Sequence, residues 1–497
     1  MSYYSVVSIV AYFLVMLLIG LYAMRKSTAN NDEYLLGGRN ISAKVTALSA
    51  GASDMSGWML MGLPGAAFVS GLDSIWIGLG LIIGAFFNYQ IVAPRLRVYT
   101  EEADNSLTVP EFFSKRFSLQ NSFVRIVASI VIICFFTLYT SSGLVAGGKL
   151  FQSAFGLDYS MGVYLTISVV IIYTVLGGFL AVSLTDFVQG CIMFLALICV
   201  PVFAFIELEP NTNLIGNTLN AFYQSSAAWE GFGWLTILSL MSWGLGYFGQ
   251  PHIIVRFMAI NHVSSVKTAR NIGMSWMTVS LIGALLTGLV GFYYTQQQGI
   301  TVNDPETIFV LLSTTLFHPL VAGWLLAAIL AAIMSTISSQ LLVSSSSLVE
   351  DFYRIFIDKK ASEQRLVLVS RLCVLAVALV ATYISLDPGQ NVLSIVSSAW
   401  AGFGAAFGPV ILFALLWKRM SNAGAIAGII TGALTVLFWG HVPVLENGEV
   451  LGSLFYELAP GFVVNSLTIW LVSHLSMPSE STLATFERCQ KVIKAHC

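Results

Sequence analysis

The sequence predicts an all-α polytopic membrane protein of thirteen transmembrane helices. Three observations point there: a shortage of charge, a succession of long apolar runs, and a one-sided distribution of basic residues. Of 497 residues only 10% are charged while 57% are hydrophobic, and the mean hydropathy is +0.82. A chain folded in water carries about 25% charged residues. This composition would leave large apolar patches against water. The same figures exclude disorder, a collagen-like fibre and a disulfide scaffold. A net charge of −2 lacks the concentrated basic footprint that nucleic acid requires, so no nucleic-acid partner is expected. The expected environment is a lipid bilayer.

A bilayer core about 30 Å thick takes roughly 20 apolar helical residues per span. Such runs fall at 5–24, 45–70, 74–93, 126–150, 160–182, 187–206, 233–252, 272–294, 320–347, 366–385, 392–416, 422–440 and 455–474. The first has no basic stretch ahead of it and no small-residue cleavage site behind it, so it reads as a span rather than a removed leader. The divisions within 45–93 and at the short link 183–186 are the least sharply marked. Cys134, Cys191, Cys199, Cys373, Cys489 and Cys497 lack metal-ligand spacing and read as small apolar residues.

Basic residues test the span count, because cytoplasmic loops concentrate Lys and Arg. With the N-terminus outside, alternate loops and the tail hold every Lys and Arg except Lys149; Arg39, Arg97, Arg125, Arg256, Lys418, Arg419 and Arg488 are among them. The opposite loops hold Glu207, Glu209, Glu230, Asp304, Glu306, Asp387, Glu446 and Glu449 with no basic partner. A miscounted span would scramble this alternation from the error onward. The pattern therefore sets thirteen spans, N-out and C-in.

Two spans are not plain helices. The second reads ALSAGASDMSGWMLMGLPGA and the seventh LMSWGLGYFGQPHI. Glycine and proline weaken the intrahelical ladder, and the freed backbone groups then need protein, water or ion partners. Close helix packing through small residues is the alternative. Five spans separate the two interruptions, and an odd number inverts the second unit relative to the first. Broken helices at matching positions of inverted halves point to a transporter substrate site. The expected organisation is a first helix and cytoplasmic loop (1–44), inverted repeats of five spans at 45–206 and 207–416, spans 12 and 13 (417–475), and a cytoplasmic tail (476–497).

Asp54 lies in mid-span, where an ionised carboxylate is costly unless paired or solvated. No basic residue stands in any expected membrane core, so a cation or a proton is its natural partner. A carboxyl group that hydrogen-bonds exposed amides and shapes the break is the other reading. Asp186 falls at a span boundary, where facing the cytoplasm is the simpler reading. In span 9, Ala332, Ser335 and Thr336 stand at i, i+3 and i+4 on one helical face. Hydroxyl and carbonyl oxygens are hard ligands for a small hard cation such as Na+. The alternative is bonding back to the carbonyl four residues earlier. Trp58, Tyr139, Trp243, Tyr247 and Phe248 lie near the breaks or deep within spans, where they either wall a small pocket or simply pack. The six histidines are scattered over span ends, loops and tail. No catalytic set forms, and no enzyme is expected.

At these residues the chain resembles the sodium:solute symporter family, in particular its bacterial proline-transporting branch. The matching stretches are LGGRN, VTALSAGASDMSGWMLMGLPGA, RLRVYTE, FFTLYTSSGLVAG, GGFLAVSLTDFVQ, SWGLGYFGQPHI, AAIMSTISSQLL, SSAWAGFGAAFGPV and WKRMSNAGAIAGIITGALTV. They run from about residue 10 to 475; the tail matches nothing specific. The resemblance implies the leucine-transporter-type fold with two inverted five-helix repeats. It implies a Na+ site of the Ala52 and Met55 carbonyls completed by Ala332, Ser335 and Thr336, with Asp54 and Asp186 linked to Na+ coupling. Ser56, Gly57, Tyr139, Trp243, Tyr247 and Pro251 match positions that line or shape a proline site, and Arg39 matches a loop position tied to transport. The implied activity is Na+-coupled import of L-proline across the bacterial inner membrane, with Na+ as coupling ion, no other cofactor and no obligate protein partner. The rival readings are a Na+ symporter of another amino acid, a carboxylate or a sugar, and a cation channel with Asp54 as its selectivity charge.

Overall fold

The structure is a computed structural model and describes residues 3–26, 31–103, 105–117, 123–208, 216, 233–446 and 448–496. Glu209, Glu230 and Cys497, like most of the link between the two expected repeats, lie outside the described residues.

Helices follow one another along the chain: α1 (Tyr3–Lys26), α2 (Asn31–Leu36), α3 (Ala43–Asp54), α4 (Leu63–Ser70), α5 (Ser74–Phe87), α6 (Ala93–Glu102), α7 (Val109–Arg116), α8 (Phe123–Phe155), α9 (Tyr159–Ile206), α10 (Gly233–Met241), α11 (Pro251–Ala259), α12 (Ser265–Gln298), α13 (Ile308–Leu316), α14 (Pro319–Leu348), α15 (Glu363–Ile384), α16 (Val392–Leu416), α17 (Asn422–His441), α18 (Leu458–Leu475) and α19 (Glu480–His496). Ten helical stretches among the described residues are long and apolar enough to cross a membrane. Their starts carry local signals: Ser42, Thr108, Ser362, Asn391 and Ser421 accept a hydrogen bond from the first-turn amides of α3, α7, α15, α16 and α17. At α7 the cap is reciprocal, since the Glu111 carboxylate accepts the Leu107 N–H at 2.8 Å.

α14 and α16 form the centre. In each, 83% of the most apolar window is buried, against 28% in α18. The outer helices instead turn large apolar side chains outward, among them Leu379, Leu467, Trp470 and Leu475, as lipid contact requires. Glycines let backbones approach. A Cβ on Gly84 would collide with the Gly244 backbone and one on Gly244 with the Gly80 carbonyl, so α5 and the second break pack main chain to main chain.

Three expectations change. The division between the fifth and sixth expected spans is not at 183–186, which is helical; the chain turns inside α9 at Gly178 (φ 57°, ψ −151°). Only glycine takes that backbone readily, and a side chain there would strike Tyr34. Arg97, Arg116 and Arg256 are not loop cations but buried groups. Arg116 donates to Ala414 O at 2.8 Å and lies under Phe486 of α19, which clamps the tail helix to the end of α16. Lys149 is not a stray: it pairs with Asp304 (3.0 Å) and Glu306 (2.8 Å), so those acids do have a basic partner. Glu306 also accepts the Val392 and Leu393 amides, a carboxylate at the start of α16 where the helix dipole favours it.

Candidate functional site

α3 ends at Asp54, with Met55 leaving the helical ladder (φ −84°, ψ 75°), and a π-helical turn, Trp58–Gly62, resumes into α4. A helix end leaves its last carbonyls without intrahelical partners and concentrates partial negative charge there. α14 answers this end. Ser335 Oγ donates to Ala52 O at 2.7 Å and Thr336 Oγ1 approaches the same oxygen at 3.4 Å. Both hydroxyls also reach Ala332 O, at 3.0 and 3.2 Å. Ala52, Ala332, Ser335 and Thr336 thus converge across two helices far apart in sequence, with Met55 at the adjoining turn. The donors are all hard oxygens held by buried residues, a set that fits Na+ chemically. The bonds to Ala332 O are the back-bonding read from the sequence, and those to Ala52 O reach across to the first break.

The Asp54 carboxylate does not face that cluster. Its Oδ2 accepts a hydrogen bond from Tyr247 OH, while Oδ1 is buried with no partner among the described residues. The two groups border a cavity of about 20 Å³ with Asn88, Tyr89, Gly51 and Met277, room for about one water. The Asp54 carbonyl, by contrast, collects Trp58 Nε1 (3.1 Å) and Tyr139 OH (3.3 Å). Ser56 sits in the break itself, its amide on Asp54 O and its hydroxyl near Trp58 N. Gly57 is there because α8 and α14 come close: a Cβ would lie 2.7 Å from Ala146 Cβ and 3.2 Å from Ile333.

The second break is a 3-10 segment, Ser242–Gly249, followed by extended Gln250 and by Pro251 at the first position of α11, a place proline's missing N–H suits. α16 holds this segment: Trp400 Nε1 donates to Trp243 O at 2.8 Å and Gln250 Nε2 to Trp400 O at 3.1 Å. Trp243 stacks on Tyr456 and faces Trp58 across 6.5 Å between centroids. The two breaks therefore meet, and Trp58, Tyr139, Trp243 and Tyr247 gather around Asp54. Phe248 is buried at the same segment but faces Gly408 of α16. Pro251 borders a separate cavity of about 10 Å³ with Phe179, Val255 and Leu342.

The reading of Asp186 as a residue facing the cytoplasm does not hold. Asp186 is fully buried, and its Oδ2 meets Arg256 at 3.1 Å and Ser49 Oγ at 2.7 Å. Arg256 also donates to Ser49, to Ser339 of α14 and to the His252 carbonyl. This knot ties α3, α9, α11 and α14 together one turn beyond the hydroxyl pair. Breaking either partner alone would strand a buried charge. Arg39, with positive φ of 53°, reaches across to Met258 O (2.7 Å), Ser106 O (2.7 Å), Asn105 (2.7 Å) and Thr100 (3.1 Å). Beside it, Ile41 and Ala259 to Asn261 pair as extended backbone, and Arg97 donates to Ile260 O at 2.7 Å. These contacts tie the segments around Arg39, Thr100 and Ile260 together, and the Lys149–Glu306 pair ties α8 to the segment before α13.

His252 was missed by sequence reasoning, which took it as one more scattered histidine. It is wholly buried, against Phe136 and Tyr139, and neither ring nitrogen has a partner among the described residues. Its place directly after Pro251 in a broken span was the available signal.

The fold and the site together define a membrane carrier built on broken helices, and residues 34–432 match the model of the sodium:solute symporter family. The chain belongs to that family. It is 51% identical to the osmoregulated proline transporter OpuE of Bacillus subtilis over 502 aligned residues, covering 99% of each chain. It is 48% identical to sodium/proline symporter 2 of Staphylococcus saprophyticus, covering 99% of this chain and 97% of that one. It is 49% identical to a sodium/proline symporter of Staphylococcus aureus, covering 96% and 93%. Among solved structures, the substrate-bound outward-open state of a Na+-coupled sialic acid symporter superposes with a TM-score of 0.81 at 19% identity, covering 96% of this chain and 99% of the other. The two share a fold.

Proposed function

We propose that this protein imports L-proline together with Na+ across the bacterial cytoplasmic membrane by alternating access. It does so as thirteen spans, N-out and C-in, with inverted repeats at 45–206 and 207–416. The observation that carries the reading is the pair of α14 hydroxyls on the freed Ala52 carbonyl, supported by relatives at about half identity that are named as proline transporters. Na+ joins the oxygens of Ala52, Met55, Ala332, Ser335 and Thr336, and the hydroxyls then turn their lone pairs inward. That contact braces α3 on α14 and fixes the break beside which proline binds, among Ser56, Gly57, Trp58, Tyr139, Trp243 and Tyr247, with Phe248 and Pro251 shaping the second break.

Transport needs the Arg39 end and the Lys149 end to open in turn. Asp54 and Asp186 act in coupling: Asp54 links the first break to the second through Tyr247, and Asp186 holds the helices below the ion. Coupling is reciprocal, so proline tightens Na+ as much as Na+ tightens proline. An inside-negative potential adds about 2.3 kcal/mol per charge per 100 mV. No enzyme chemistry and no further cofactor is required.

The test is uptake of labelled proline into proteoliposomes with and without an inward Na+ gradient, against a panel of unlabelled amino acids, carboxylates and sugars. Concentrative, Na+-dependent uptake competed by proline is expected. Uptake that another solute competes for and proline does not would overturn the substrate; uptake that only equilibrates would favour a channel.

A further inference from the structure

One feature of the surface lies well away from the transport path. Between the last turns of α16 and α18 is a crevice of about 500 Å³ lined by Leu412, Phe413, Leu416, Trp417, Arg419, Trp470 and His474. Its walls are apolar and aromatic. His474 is fixed by its Nδ1 contact with Trp470 O (2.8 Å) and packs on both Trp470 and Trp417, which in turn meets Phe413 edge-on. Leu416, Leu467, Leu471 and Leu475 continue this apolar surface outward. At its mouth the chain carries Lys418 and Arg419, and Arg419 forms no ion pair with a described residue. The tail helix brings Lys491 and Lys494 to the same end of the molecule, since Gln490 donates to Leu415 O at 3.1 Å.

We propose that this crevice binds one anionic glycerophospholipid, its acyl chain along Leu412, Phe413 and Leu416 and its phosphate at Arg419. Two physical reasons converge. Tryptophans and a histidine at helix ends mark the headgroup level of a bilayer. A basic residue beside an apolar groove between membrane helices suits a lipid that is anionic at one end and apolar at the other. The C-terminus of α16 points its partial negative charge here, which favours the neighbouring cations but does not itself attract an anion, so the lipid's charge is met by Arg419. A zwitterionic lipid offers the same chains without net charge, so discrimination rests on Arg419. Under the proposed orientation this is the cytoplasmic leaflet, where the Lys- and Arg-rich end lies.

Native mass spectrometry of the full chain released from nanodiscs of equal phosphatidylglycerol and phosphatidylcholine tests this. The intact protein is expected to retain one phosphatidylglycerol in clear preference. Arg419→Gln lowers that preference about fivefold, the factor expected from one basic group near a lipid headgroup, and Arg419→Lys restores most of it. Proline uptake by the same variants reports folding, because Arg419 touches neither break. Equal retention of the two lipids by the intact protein, an unchanged preference in Arg419→Gln, or a crevice covered by a second copy in a lipid-free dimer would each overturn the proposal. None of these results bears on which solute is carried.

Discussion

The two broken helices solve one problem in opposite ways. Both must satisfy backbone groups that a continuous helix would have paired internally. At the first break the partners are side chains: Ser335 and Thr336 on Ala52 O, Trp58 and Tyr139 on Asp54 O. Hydroxyls and phenols can rotate and exchange one partner for an ion or a solute. At the second break much of the contact is backbone and aromatic framework. Gly244 abuts Gly80 and Gly84, Gly246 meets the Trp400 indole, and Gly249 meets the Phe403 carbonyl and, 2.8 Å from where a Cβ would stand, the Gly408 amide. That wall has little freedom to give way. The comparison assigns adaptable chemistry to the first break and fixed geometry to the second.

Substitutions can break this contrast, beginning where the effect is largest. Gly249→Ala forces a methyl into main chain that cannot move aside, and a loss of about 3 kcal/mol or more is expected, read as a fall in Tm and in yield of folded protein. Gly57→Ala at the first break meets one methyl, Ala146 Cβ, and the more mobile Ile333 rather than main chain, and is expected to cost less, about 2 kcal/mol. If the two fall equally, the rigid–adaptable distinction fails.

Ser335→Ala combined with Thr336→Ala should raise the Na+ needed for half-maximal uptake at least tenfold, since each lost oxygen contact is worth about 1 kcal/mol, and should lower Tm moderately, since the buried Ala52 carbonyl loses both hydroxyl partners. Unchanged Na+ dependence would remove the ion from this place. Asp54→Asn should also raise the Na+ requirement. Combined with Tyr247→Phe in a double-mutant cycle, it should show a coupling of about 1–2 kcal/mol, because the hydrogen bond joins the two breaks; additivity would show that they act separately. His252→Phe is expected to have the smallest effect, a few-fold rise in KM for proline with folded yield preserved, as fits the loss of one neutral hydrogen bond formed during the cycle. A stabilised protein with unaltered KM would mark His252 as a plain core residue.

How far the sequence carried varies residue by residue. The hydroxyl pair in span 9, on one face with Ala332, and the glycine-rich breaks are visible because helical periodicity and backbone chemistry are local properties. Gly178 was not, since one glycine in an apolar run looks like any other until Tyr34 is found against it. Arg256 and Asp186 were misjudged for a related reason. A basic residue near a span end reads as a loop residue, and only the tertiary contact between α9 and α11 shows that each removes the penalty of burying the other. Asp54 is buried at the first break, and its carboxylate turns to Tyr247 rather than to the hydroxyls, which no local pattern shows.

The amino-acid sequence by itself determined the solvent this protein lives in, the positions of its apolar helices, and the two places where helix gives way to freed backbone. Composition and periodicity act over a few turns of chain, so no fold is needed to read them. Only the tertiary structure decided which freed group meets which side chain. Ala52 and Ser335 lie 283 positions apart, and Tyr247 and Asp54 lie 193 apart. Contacts of that separation follow from how whole helices pack, and no local pattern encodes them.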